Sequence, residues 1–322
     1  MDNQPQENTL ESTELTVTDF SPIGWVPLIS LLLMAGLACY LLVYVVNLEQ
    51  TQVFAETIGR ITWSISILFF ALTITVTFVA AFQEIFGTRL RSVKLRISAL
   101  TLFLAAALPL LILLPGVKEF KFNVMLLGNT TYKVAPVAKN FVIGVQILGA
   151  LALTALAIAV SLVLSQNRVK SPVATPSALA RDFESVRKLL YIGAIALVAG
   201  TLEASALYSW AVSMMPAGQV PSDLVYYSTV KDLPQLMGTL NGLFYSILLA
   251  GIFAPAFIQL RGVANRLVDE AKPGVTYSER NEWLKAQGVD ISISQQLFSA
   301  LAILSPTLAG GPLTILLGLI AN

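Results

Sequence analysis

The sequence has no histidine and one cysteine, Cys39. Histidine is the commonest general base and the commonest transition-metal ligand, so both roles lose their usual residue. A lone cysteine closes no disulfide within the chain and builds no thiolate metal site. Cys39 lies in an apolar run and reads as a small hydrophobe. Charge is scarce as well: charged residues are 12% of the 322, about half the share of an average soluble domain. The net charge of +1 offers no overall attraction to nucleic acid. A Gly-rich loop ending in Lys-Ser or Lys-Thr is missing, which excludes a Walker-type nucleotide motor. No aspartate falls inside an apolar block and no arginines repeat along one, which excludes an intramembrane aspartyl dyad and a voltage sensor. A Ser-His pair is ruled out by the absence of histidine. We expect a protein that is not an enzyme and needs no metal or cofactor.

What the chain has instead is apolar residues, 56% of the total with a mean hydropathy of +0.75. They come in blocks long enough to cross a bilayer core about 30 Å thick, which takes roughly 20 helical residues. Six blocks qualify: Trp25–Val46, Ile61–Phe82, Ile97–Leu114, Phe141–Leu164, Leu189–Ser213 and Leu236–Leu260. The expected fold is an all-α integral membrane protein, a six-transmembrane-helix bundle over 24–260. The tail 1–23 carries Asp2, Glu7, Glu11, Glu14 and Asp19 without Lys or Arg, and its polar, acidic composition predicts disorder. A cleavable signal peptide would open with a basic region, so the first block is expected to be a retained span.

Orientation follows from the basic residues, which stay on the cytoplasmic side. Arg89, Arg91, Lys94 and Arg96 follow the second span; Arg168, Lys170, Arg181, Arg187 and Lys188 follow the fourth; Arg261, Arg266, Lys272, Arg280 and Lys285 follow the sixth. The opposite side holds Arg60, Lys118, Lys121, Lys133, Lys139 and Lys231. Fourteen against six predicts that both termini are cytoplasmic, in what we expect to be a bacterial inner membrane. Trp25, Trp63 and Trp210 fall near span ends, where indole rings favour the interface.

Three segments outside the spans carry patterns of their own. In Val117–Asn140, alternating apolar residues flank Gly128-Asn129, which predicts a small extracytoplasmic β-hairpin. Met214–Gln235 holds Pro216, Gly218, Pro221 and Pro234 and is expected to form an irregular cap. Beyond the sixth span, 261–322 predicts a cytoplasmic helix followed by short amphipathic, interfacial or re-entrant helices. Thr276 and Glu279 form a capping box that opens the first of these, with Gly288 as its stop. Ser294 precedes Leu297, Phe298, Leu301 and Leu304, which share one helical face. Ser305-Pro306 and Gly310-Gly311-Pro312 are expected to break the helix that follows; a seventh crossing, which would move the C-terminus outside, is the alternative.

Glu203 is the most informative single residue. It lies in the fifth span, about 13 Å below the outer end at helical rise. A carboxylate at that depth must be protonated, paired or hydrated, and no Lys or Arg lies in any predicted span. Its candidate partners are Gln146 in the fourth span, Asn241 in the sixth, and Ser64 or Ser66 in the second. An ion, proton or substrate site is one reading; a neutral acid that staples helices by hydrogen bonds is the other. The second span also carries a polar stripe of Thr62, Ser66, Thr73, Thr77 and Glu84, which either lines a wet pathway or back-bonds to its own helix. Ala196, Gly200 and Ala204 repeat every fourth residue on the fifth span and predict close helix packing, with the Ala-rich fourth span as the expected neighbour. Pro109 and Pro255 sit at matching places in the third and sixth spans, as the broken helices of inverted-repeat transporters do. The implied function is a pathway for an ion or small solute; a non-transporting scaffold or signalling subunit is the alternative. The partners expected are the bilayer and a homo-oligomer or membrane complex, not nucleic acid.

Overall fold

The computed structural model describes residues 54–86, 101, 136–169, 175–213, 224–274, 276–289 and 292–311. Among them six helices form in order: α1 Phe54–Phe86, α2 Pro136–Val169, α3 Pro176–Ser213, α4 Leu224–Ala271, α5 Tyr277–Ala286 and α6 Ile293–Gly310. Four of these contain stretches long and apolar enough to cross a membrane: Ile61–Phe86, Gly144–Leu164, Pro176–Trp210 and Pro234–Ala271. They contain or largely overlap the expected second, fourth, fifth and sixth spans. The first and third, 25–46 and 97–114, lie outside the described residues except Thr101, as does the acidic tail. Among the described residues there is no strand. The expected hairpin lies outside them apart from its last five residues, Pro136–Asn140, which begin α2.

The helices overrun their apolar cores. α4 has 48 residues, about 72 Å at helical rise, more than twice the apolar thickness of a bilayer. It begins at Leu224, so the irregular cap expected through Gln235 is helical from that residue onward. Proline misled the sequence reading here. Pro234 and Pro255 both sit inside α4, and neighbouring helices can satisfy the backbone groups that an internal proline frees. α3 starts at Pro176, a position where the missing amide has no helical acceptor to lose. The carbonyl of Thr175 accepts from the amides of Ala178 and Leu179, each at 3.1 Å.

α3 is the centre of the bundle and the most buried of the four long helices; it packs on α1, α2, α4 and α6. Two apolar clusters divide the interior along its length. One gathers Trp63, Ile67, Phe70 and Ile74 of α1 with Val145, Ala152, Ala196, Ala199 and Leu207. The other runs from Ala81 and Ile85 through Leu156, Leu190, Leu249 and Phe253 to Leu284 and Val289. We refer to these as the tryptophan end and the basic end. Gly200 of the small-residue repeat faces Phe70 of α1, whose ring would lie 2.8 Å from an added Cβ. Its close neighbour is therefore α1 and not the expected Ala-rich helix. The aromatic ring needs the space that the glycine leaves.

The C-terminal segment differs most from expectation. α6 starts at Ser292, whose hydroxyl accepts the Gln295 amide at 3.4 Å, and it runs through Ser305-Pro306 unbroken. Pro306 has no amide for the Ala302 carbonyl, and the Ser305 hydroxyl donates to that carbonyl instead, at 2.8 Å. The Thr307 amide donates across to Ser246 Oγ of α4 at 3.2 Å, and the Thr307 hydroxyl meets the same oxygen at 2.8 Å. A Cβ on Gly242 would overlap the Pro306 carbonyl, and one on Gly310 would overlap the Gly238 carbonyl. This pairing of 242 with 306 and 238 with 310 makes α6 antiparallel to α4, backbone against backbone. α6 therefore runs alongside α4 and also packs on α3. Leu297, Phe298, Leu301 and Leu304 share its exposed face, as their helical spacing predicted.

α5 follows the sequence closely. The Thr276 amide donates to Glu279 Oε2 at 2.9 Å, completing the capping box. Gly288 has φ 82°, a conformation that favours glycine. Its amide and that of Val289 close the helix on Lys285 and Leu284, and Val289 and Leu284 bury together. This is a Schellman ending with its hydrophobic contact. An ion pair between Arg280 and Asp269 ties α5 to the extension of α4.

Candidate functional site

The candidate site forms at the tryptophan end, where α1 and α3 run antiparallel. Glu203 of α3 is 2% exposed. The Trp63 indole of α1 donates to its Oε1 at 3.1 Å. The Trp63 ring stacks on Trp210, with centroids 5.0 Å apart and planes 23° from parallel. Trp210 sits two helical turns beyond Glu203 on α3, so the stack joins α1 to α3 next to the carboxyl group's donor. Tyr208 of α3 and Tyr245 of α4 lie within electrostatic reach of Glu203. Ser205 donates to the Pro234 carbonyl at 3.5 Å, bringing the start of the apolar part of α4 to the same level.

The sequence located the carboxylate but not this donor. Trp63 was expected at the lipid interface; the structure turns it inward, 2% exposed. The only signal was chemical, since a buried indole N–H needs an acceptor. The predicted spans put Trp63 about 3 Å and Glu203 about 13 Å from the outer end, so depth did not pair them. Of the expected partners, Asn241 spends its amide on the Met237 carbonyl of its own helix at 2.9 Å. Ser66 likewise donates to Thr62 at 2.8 Å. Gln146 is half-buried on α2, and Ser64 is buried on α1.

The polar stripe of α1 is largely turned onto the backbone. Thr73 donates to the carbonyls of Phe69 and Phe70, each at 3.0 Å. Thr77 donates to Thr73 at 2.8 Å and also reaches the Ile192 carbonyl of α3 at 3.4 Å. Thr77 is thus a cross-helix tie, one that hydroxyl spacing alone does not distinguish from a pathway lining. The helix-packing residues fall beside the site: Ala196 is buried in the tryptophan-end cluster, and Gly200 and Ala204 lie one turn below and directly next to Glu203. Among the described residues no group of His, Cys, Asp or Glu could hold a metal ion.

Compared with protein-family models, with curated proteins and with solved structures, the chain matches none. Its function therefore has to be argued from the site.

Proposed function

We propose that this is a multi-pass membrane protein that gives an ion or small solute a path across the bilayer, with Glu203 as the protonatable group on that path. One observation carries the reading. A carboxyl group is enclosed in the most buried helix, the indole that donates to it is neutral, and no predicted span contains a Lys or Arg to neutralise it. Ionisable residues inside a membrane are rare, face the bundle interior or a wet cavity, and mark ion and proton routes. The Trp63 N–H can donate to either protonation state, so proton loss leaves Glu203 anchored while its charge changes. The Trp63–Trp210 stack would then act as the gate on that side. Glu203→Gln in reconstituted vesicles should abolish flux or flatten its pH dependence. Flux with an unchanged pH profile would sink the proposal.

For topology we propose six crossings with the N-terminus cytoplasmic in a bacterial inner membrane, on the strength of the basic-residue asymmetry. The antiparallel course of α6 along α4, ending beside Gly238 near the opposite end of the bundle, supports a further crossing by α6 and an external C-terminus in place of the internal one expected from sequence. An Asn322→Cys probe in a Cys39→Ser background, labelled from either side, tests this directly.

The second reading is a non-transporting scaffold or signalling subunit. It is favoured by the back-bonded hydroxyls of Ser66, Thr73 and Thr77, which leave the stripe less available to water. A stable partner that co-purifies, together with the absence of any flux, would select it.

A further inference from the structure

At the basic end, the first turns of α3 border an open groove of about 550 Å³. Arg181, Arg187 and Lys188 line it, with Glu184 as its one acid, and Tyr191 and Ile192 continue it along the helix. Arg181 and Lys188 are exposed and seven residues apart, two turns along one helix face. Arg187 is half-buried, with its guanidinium 5.6 Å from the centroid of the Phe183 ring. Gly288, the αL stop of α5, closes one side.

The position of the groove relative to the apolar stretch is what gives it meaning. Lys188 is the last charged residue of α3 before Leu189, and no other appears until Glu203. The cations therefore stand where the helix would leave a bilayer core, at headgroup level, and Tyr191 and Ile192 stand one turn deeper, at acyl-chain level. A site that is cationic at the headgroup level and apolar below it matches one class of ligand, an amphiphile with an anionic head. Among the described lining residues the exposed Arg181 and Lys188 outnumber the one carboxylate, Glu184, that lies between them.

We infer that this groove binds the headgroup phosphate of an anionic phospholipid, with Arg181 and Lys188 on the phosphate and an acyl chain laid against Tyr191 and Ile192. The site is independent of the transport reading and stands or falls without it. The test uses the full chain in detergent micelles, with bound lipid counted by native mass spectrometry after addition of phosphatidylglycerol or phosphatidylcholine. The wild type should retain phosphatidylglycerol in preference to phosphatidylcholine. Arg181→Gln with Lys188→Gln should weaken that binding about thirty-fold, from the usual contribution of two basic residues near an anionic surface. Glu184→Gln should leave it equal or tighter. If the double variant is not recovered monodisperse, Arg181→Gln alone should still show about a fivefold loss. Equal retention by the variants, equal retention of phosphatidylcholine, or full displacement by millimolar inorganic phosphate would each overturn the assignment.

Discussion

The two ends of the bundle treat ionisable groups in opposite ways. At the tryptophan end Glu203 is taken inside and held by the Trp63 indole, which in turn stacks on Trp210. At the basic end most charges face outward: Arg181, Glu184 and Lys188 on α3, and Arg261, Arg266 and Glu270 on α4. Asp182, buried near Ser185 and Val186, and the half-buried Arg187 are exceptions there. Order at this end comes from caps, a Schellman turn and the Arg280–Asp269 ion pair. The difference follows from the surrounding medium. In a bilayer no water satisfies a side chain, so a polar group must find its partner within the protein: a hydroxyl can use its own helix, and the Glu203 carboxyl takes a donor from another. Beyond the bilayer water does that work, and local capping suffices to fix a short helix.

The contrast can be broken first at the contact that organises the tryptophan end around α4 and α6. Gly242→Val should be the most disruptive change, because its side chain would occupy the space of the Pro306 carbonyl. Overpacking of this kind costs about 3 kcal/mol or more; little folded protein, or a large fall in melting temperature in detergent, is the expected result. Gly262→Ala, on the same helix with open space around it, should be neutral or stabilising by up to about 1 kcal/mol. Equal effects of the two would mean that the α4–α6 contact is not tight.

Trp63→Phe comes next. It keeps most of the ring but removes the donor to Glu203, at an expected cost of about 1–3 kcal/mol, read by thermal unfolding. Trp63→Phe with Glu203→Gln should cost less than the sum of the single changes, because both alter the same bond. Thr77→Val deletes the hydroxyl that bonds Thr73 and reaches Ile192, and about 0.6 kcal/mol is expected for the interhelical part of that interaction in a membrane protein.

The smallest effect belongs to the basic end and tests whether its order is local. The Thr276 amide holds the Glu279 carboxyl below the ordinary carboxylate range, with help from the Thr276 hydroxyl and Lys272. Its folded-state pKa is depressed, so its contribution is fully present above the unfolded carboxylate range and fades as pH falls through the lower, folded value. Acidification through that window should raise hydrogen exchange in α5 alone, with the bundle unchanged. Loss of protection in α3 at the same pH would show the two ends to be coupled.

Much of this protein was legible in its sequence. Apolar blocks of about 20 residues marked four of the described helices, because membrane crossing needs length and hydrophobicity, and both are written along the chain. The capping box at Thr276 and the glycine stop at 288 were equally readable, since caps act over a few residues. Glu203 stood out because a charge in an apolar block is rare. Contacts between distant segments were less legible. The close approach at Gly238 and Gly242 was not read from the sequence; only the fold supplies Pro306 and Gly310 as what meets them. Trp63 looked like an interface anchor until α1 and α3 were set antiparallel at the right depth.

The sequence by itself, then, determined where four of the described helices are apolar enough to lie in a membrane, and that Glu203 is the one acid within the expected spans. Those properties depend on local composition and on transfer from water to lipid. The tertiary structure alone decided which indole meets that acid, that α6 stands against α4, and that the α1 hydroxyls turn back on their own helix. Each of these depends on helix order, depth and rotation, and apolar composition leaves all three free because lipid tails and neighbouring helices offer similar surroundings.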